Sequence, residues 1–106
     1  MRVYIAGPFT HGRLSENIRN AVLCANLVRD HGHTPFCPHL FHLWDIISPR
    51  PYEDWLALCL EWLACCEAMI RLPGDSPGAV AEETSALSRG IPIYTDAIDF
   101  VLRNHP

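Results

Sequence analysis

The sequence predicts an α/β protein: a parallel sheet of four to five strands with helices on both faces. Three observations carry this prediction. Short, mostly apolar runs (RVYIA at 2–6, TPFC at 34–37, AMIRL at 68–72 and GIPIY at 90–94) alternate with longer segments of helical periodicity. The first and third runs are nearly continuous in apolar residues, as strands covered on both faces must be. The segments between runs are long enough for crossover helices, which parallel neighbours need.

Each element follows from local chemistry. Gly7-Pro8 breaks the first strand and opens the polar loop FTHGRLSEN. Ser15 is placed to cap a helix running to about residue 31, with Ile18, Ala21, Val22, Ala25 and Val28 on one face and Gly32 as its stop. After the short second strand, residues 38–51 read as an irregular loop carrying His39, Phe41, His42, Trp44 and Asp45. Such a long aromatic loop serves either as a satellite core or subunit contact, or as a lid over an aromatic ligand. Tyr52 starts a helix reaching residue 66, with Trp55, Leu56, Cys59, Leu60 and Leu63 as its apolar stripe. Pro73-Gly74 ends the third strand, and Ser76 caps a helix that begins with Pro77 and Gly78 and ends at Gly90 and Pro92. After the fourth strand, Thr95 or Asp96 caps a last helix with Ala97, Ile98, Val101 and Leu102 inward, and residues 104–106 fray.

With the first strand between the second and third, the order is that of a flavodoxin-like or Rossmann-like sheet, whose switch point lies between strands one and three. Ligands bind there, outside the carboxyl ends of the strands, so the loops beginning at Gly7 and Pro73 should meet with Glu82 nearby. The loop before the third helix offers unpaired N–H groups and the positive end of a helix dipole, an anion site with Ser76 and Gly78 at its lip. Glu82 and Glu83 follow one turn further in, beside the small residues Ala79, Ala81 and Ala86. By spacing alone these glutamates read first as ordinary helix charges on a solvated face.

Composition narrows the function. The 106 residues suit one domain spanning 1–106. A formal net charge of −4 without a Lys/Arg cluster argues against binding long nucleic acid or an anionic membrane. Met1 leads straight into a strand, and no apolar run approaches a membrane span, so a cytoplasmic protein is expected. Five cysteines without a CxxC pair suit reduced thiols rather than a disulfide framework. Cys65 and Arg71 match a phosphatase-like C-x5-R spacing, but the residues between them hold no glycine and cannot form a phosphate cradle. His39 and His42 have metal-ligand spacing without a further partner, so neither metal nor cofactor is expected. Trp55, Trp62 and the aromatic loop give a small chain more apolar surface than it can cover, which suggests a homodimer or larger homo-oligomer.

Three stretches in order, VYIAGPF, DWLALCLEWLACCEAMIRLPG and SPGAVAEETSALSRGIPI, resemble the nucleoside 2-deoxyribosyltransferase superfamily. The resemblance is strongest to small bacterial or phage-type members and to the related deoxynucleoside 5′-monophosphate N-glycosidases, and it spans nearly the whole chain. It implies an N-glycosidase, hydrolase or transferase, that cleaves the base-sugar bond of a small nucleotide or nucleoside. Glu82 matches the nucleophile, Tyr4 the tyrosine that orients it, and Gly7 and Pro8 the turn that lines the sugar. Before the nucleophile, the transferases tend to carry an aspartate where the monophosphate hydrolases carry a serine. Here the residue is Ser76, which favours a nucleoside monophosphate because a hydroxyl donates to phosphate where a carboxylate repels it. Arg13 either reaches the same anion or is a plain surface residue, and Phe9 and Trp44 are candidates to stack on the base. The family pattern DLEW appears here as CLEW, with Cys59 in place of the aspartate. That change leaves a second reading open, a catalytically weak or inactive nucleotide-binding module of the same fold, and a purely structural or interaction protein is a third.

Overall fold

The computed structural model describes residues 1–105. Its strands are β1 (Arg2–Ala6), β2 (Thr34–Phe36), β3 (Ala68–Arg71) and β4 (Ile93–Tyr94), all parallel, in the order β2-β1-β3-β4. Its helices are α1 (Leu14–Asp30), α2 (Phe41–Ile47), α3 (Tyr52–Leu63), α4 (Pro77–Ser88) and α5 (Ala97–Arg103), with a 3-10 turn at Pro38–Leu40. This is the flavodoxin-like arrangement expected from the sequence.

The alternation of side chains along a strand builds two cores from one sheet. Val3, Ile5, Ala68 and Ile70 pack on one face against Ala21, Cys24 and Val28 of α1 and Phe100 and Val101 of α5. Tyr4, Ala6 and Met69 pack on the other against Cys59 and Leu63 of α3 and Ala86 of α4. The register pairs Val3 with Ala68 and Tyr4 with Met69. A slip of one residue would exchange the faces and move Tyr4 to the side of α1.

Several expected details differ. Helix α1 starts at Leu14 with Arg13 at the cap position and no side-chain cap, so Ser15 lies inside the first turn. The preceding loop is fixed instead by the Asn17 side-chain amide, which donates to the carbonyls of Phe9 (2.9 Å) and His11 (2.7 Å). Residues 38–51 are not an irregular loop: Pro38 opens the 3-10 turn and α2 follows, supported by aromatic contacts of Phe41 with Phe36 and Trp55. Helix α3 stops at Leu63, before Cys66, and the N–H of Cys66 closes the end by donating to the Leu63 carbonyl. Asp96 rather than Thr95 caps α5, its Oδ1 accepting from the Ile98 N–H at 3.0 Å. That start turns Phe100 inward and leaves Ile98 and Leu102 exposed. Asn104 does not fray, since it donates to the Phe100 carbonyl (2.9 Å) and accepts from His33 Nε2 (2.7 Å), while Pro106 lies outside the described residues.

Two glycines bring the β1 and β3 loops together. A Cβ on Gly7 would stand 2.9 Å from Leu72 Cβ, closer than packed carbons allow. Gly74 has φ +120°, and a Cβ there would meet Pro8 Cγ at 2.7 Å. Gly74→Ala is therefore expected to destabilise the protein by about 1–3 kcal/mol, read as a lower urea midpoint with an unchanged slope. Among the described residues no helix is long and apolar enough to cross a membrane.

Candidate active site

A cavity of about 490 Å³ opens at the carboxyl ends of the central strands, at the switch point between β1 and β3. The β1 loop forms one wall, the 3-10 turn and α2 a second, α3 a third, and the first turns of α4 the fourth.

Glu82 sits on the inner face of α4. Ala79, Glu82 and Ala86 are the buried residues of this helix, so the carboxylate occupies a place where helical periodicity calls for an apolar side chain. It is 7% exposed, and burial pushes its carboxyl up to about 8. The hydroxyl of Tyr4, itself fully buried, donates to Glu82 Oε2 and works against that rise. Glu83 has a different task. It accepts from Arg71 Nε at 2.5 Å, and Arg71 also donates to the carbonyls of Leu72 and Gly74, stitching the loop between β3 and α4.

Ser76 caps α4, its Oγ accepting from the Ala79 N–H at 3.1 Å, and the first turn of the helix borders the cavity at Ser76, Pro77 and Gly78. The tip of Tyr52 lies directly against Gly78, an approach that any side chain at 78 would block. On α3, Trp55, Leu56 and Cys59 share one face and line the cavity together. Burial raises the Cys59 thiol to about 11, so it stands there as a neutral group near pH 7.

The remaining wall is aromatic. Phe9 meets His39 and His42 edge-on, with centroids 5.8 and 5.4 Å apart, and Phe41 leans on Trp55 at 5.8 Å. Asp45 Oδ1 accepts from Trp55 Nε1 (2.7 Å) and from the Arg50 N–H (3.1 Å), bonds that hold its carboxyl below the usual range. His39 Nε2 donates to the Pro8 carbonyl at 2.9 Å. Among the described residues no group of three or more His, Cys, Asp or Glu side chains comes together in a way that suits a metal ion.

Gly7, Phe9, Cys59, Ser76, Gly78 and Glu82 all line this cavity, Tyr4 reaches it through Glu82, and Pro8 borders it through its bond to His39. Arg13 and Trp44 stand outside the lining. Arg13 is exposed and faces Glu16 at 3.5 Å, while Trp44 packs against Phe41 (5.6 Å) and Trp55 (5.0 Å). The sequence places Trp55 on the apolar stripe of its helix and marks neither Tyr52 nor Arg50 as a site residue, yet all three line the cavity. The signal for Trp55 was present, since it precedes Cys59 by one helical turn and shares its face.

A family model described as a domain of unknown function, DUF7768, matches residues 1–96. The chain belongs to the DUF7768 family. No curated protein matches the DUF7768 chain by sequence. Its fold is similar to that of a 2-deoxyribosyltransferase from the psychrotolerant bacterium Bacillus psychrosaccharolyticus, with a TM-score of 0.63 over 88% of this chain and 69% of that one. The two sequences are 21% identical, so the likeness is one of fold.

Proposed function

We propose that this DUF7768 chain is an N-glycosidase that cleaves the base-sugar bond of a nucleoside 5′-monophosphate or nucleoside, by hydrolysis or by transfer to a second base. The observation that carries the reading is the buried carboxylate of Glu82, held by the Tyr4 hydroxyl at the wall of an aromatic-lined cavity. The fold shared with a deoxyribosyltransferase supports it. Because Tyr4 engages Oε2, Oε1 is the oxygen for attack on the anomeric carbon. As the new C–O bond forms, the C–N bond breaks and its electron pair leaves with the base, which takes up a proton. Water or an incoming base then opens the glycosyl ester and frees Glu82. Phe9, Phe41 and Trp55 offer planar apolar contact to the base, and the α4 N-terminus with Ser76 suits the phosphate.

The test is base release from a panel of ribo- and deoxyribonucleoside monophosphates and nucleosides, followed by chromatography with and without an acceptor base, with Glu82→Gln alongside. Release by the parent and its loss in the variant are expected. Equal release by both proteins would sink the assignment of the nucleophile.

The neutral thiol of Cys59 favours a second reading, a nucleotide-binding module with weak or no turnover, because it stands on the cavity wall where the resembling family carries a carboxylate. Cys59→Asp is then expected to raise base release about tenfold or more. An unchanged high rate would mean that position 59 takes no part. A nucleotide that raises the melting temperature without being cleaved would establish the binding module. Assembly into a homodimer or larger homo-oligomer belongs to the same proposal, since α2 has no buried residue and exposes Leu43, Ile46 and Ile47.

A further inference from the structure

We infer that Tyr52 is a specificity-determining residue at the 5′ end of the substrate, and that it makes the cavity accept a nucleoside with a free 5′-hydroxyl in preference to its 5′-monophosphate. The inference deepens the glycosidase reading and rests on it. Gly78 precedes Glu82 by four residues, so the two share one face of α4, about 6 Å apart along its axis, and both line the cavity. With the anomeric carbon at Glu82 and the base on the aromatic wall, the rest of the sugar extends toward the first turn of this helix. Its 5′ group therefore meets Gly78. The tip of Tyr52, reaching across from the first turn of α3, already stands over that glycine. A Cβ at position 78 would lie 3.5 Å from Tyr52 Cζ and 3.8 Å from Cε2, with the hydroxyl nearer still. The ring takes the volume that a phosphate on the 5′ oxygen needs, while a hydroxyl is small enough to remain beside it.

Donors and charges at this end agree with the steric reading. The field of the α4 terminus favours an anion, but few groups there are left to hold one. Pro77 has no N–H, the Ala79 N–H donates to Ser76 Oγ at 3.1 Å, and the Val80 N–H donates to the Ser76 carbonyl at 3.0 Å. Of this turn that leaves the N–H of Gly78, the residue Tyr52 covers. Arg71, the cation of the preceding loop, is engaged by Glu83 and by the carbonyls of Leu72 and Gly74, and Asp75 adds an exposed carboxylate next to Ser76. Arg50 joins the cavity lining beside Asp45, whose Oδ1 accepts its N–H at 3.1 Å, so a carboxylate accompanies that cation. A phosphate dianion would give up its hydration here for little in return. A neutral 5′-hydroxyl loses far less on entry, and it can both donate to and accept from the Tyr52 phenol.

The experiment measures dissociation constants by titration calorimetry for the common deoxynucleosides, each beside its 5′-monophosphate and its 3′-monophosphate. It uses the full chain carrying Glu82→Gln, so that no ligand is consumed. Each nucleoside that binds should do so about tenfold more tightly, or better, than its 5′-monophosphate. Adding Tyr52→Ala should strengthen binding of the 5′-monophosphate until that ratio is within about threefold, and should leave the 3′-monophosphate within about twofold of its former value. Adding Tyr52→Phe, which removes only the atom nearest Gly78, should give an intermediate ratio. Tyr52 is 58% exposed at the start of its helix, so both variants should keep the fold, and the comparison among ligands needs no substitution at 52. A 5′-monophosphate that binds the Glu82→Gln chain as tightly as its nucleoside, or a ratio that survives Tyr52→Ala, overturns the inference while leaving the glycosidase reading in place. Equal gains by the 5′- and 3′-monophosphates would mean that Tyr52 only narrows the entrance, and would overturn it as well. If none of these ligands binds, the nucleotide reading itself falls and this inference with it.

Discussion

Glu82→Gln is expected to abolish base release and, in the same protein, to remove the fall in stability that the Glu82 carboxyl imposes between about pH 4.5 and 8. The first effect follows from chemistry: an amide cannot attack the anomeric carbon, and loss of a covalent nucleophile lowers turnover by about 10³-fold or more. The second follows from burial, which raises the carboxyl from its ordinary 4.5 to about 8. Below pH 4.5 the group is protonated in both folded and unfolded chains and contributes no pH dependence. Between 4.5 and 8 the unfolded chain releases a proton that the folded chain retains, so stability falls as pH rises. Above 8 both forms are ionised and the penalty is complete, on the order of 5 kcal/mol. Glutamine does not titrate, so urea denaturation at pH 5, 7 and 9 should show the variant losing markedly less stability across the series than the parent, with the remaining shifted groups, such as His39 and Cys59, titrating alike in both. Equal slopes would mean that Glu82 titrates normally. The parent's activity should climb toward pH 8 for the same reason, because only the carboxylate attacks.

Tyr4→Phe should lower turnover at pH 7 by about 10- to 100-fold with little change in KM, and should move the rising limb of the pH profile upward. Phenylalanine keeps the ring and its packing on Phe36, whose centroid lies 5.5 Å away. What is lost is the hydroxyl that donates to Glu82 Oε2, and with it the group that favours the ionised carboxyl in a dry site. A larger fraction of Glu82 is then protonated at pH 7 and cannot attack. A profile that keeps its midpoint would show that Tyr4 fills space without tuning the acid.

Much of this arrangement was legible because it rests on local rules. Ser76 caps α4, and the strand order follows from crossover chemistry, so the two loops of the switch point could be placed before any contact was known. Tyr4 and Glu82, far apart in sequence, were linked by the family resemblance and not by any periodicity. Residues 38–51 were misread because little in them signals a helix by itself. Their order comes from aromatic contacts with Phe36 and Trp55 on other elements. The face of α5 was misjudged for a similar reason, since Phe100 is held inward by Tyr94 and His33, at centroid distances of 5.2 and 4.9 Å. Adjacent glutamates gave no local sign of which would be buried. Tyr4 on one side and Arg71 on the other separate them.

That separation makes the ion pair of Glu83 with Arg71 a rotational pin. Neighbouring positions on a helix point about 100° apart, so α4 cannot turn to carry Glu82 toward solvent without tearing Glu83 from the strand. Arg71 also grips the carbonyls of Leu72 and Gly74, which gauges the length of the connection as well as the azimuth of the helix. Adding or deleting one residue between Gly74 and Ser76 would demand a compensating twist that the pin resists. Tolerance for insertions should therefore be lost in that short connection while exposed loop tips elsewhere in the chain keep it.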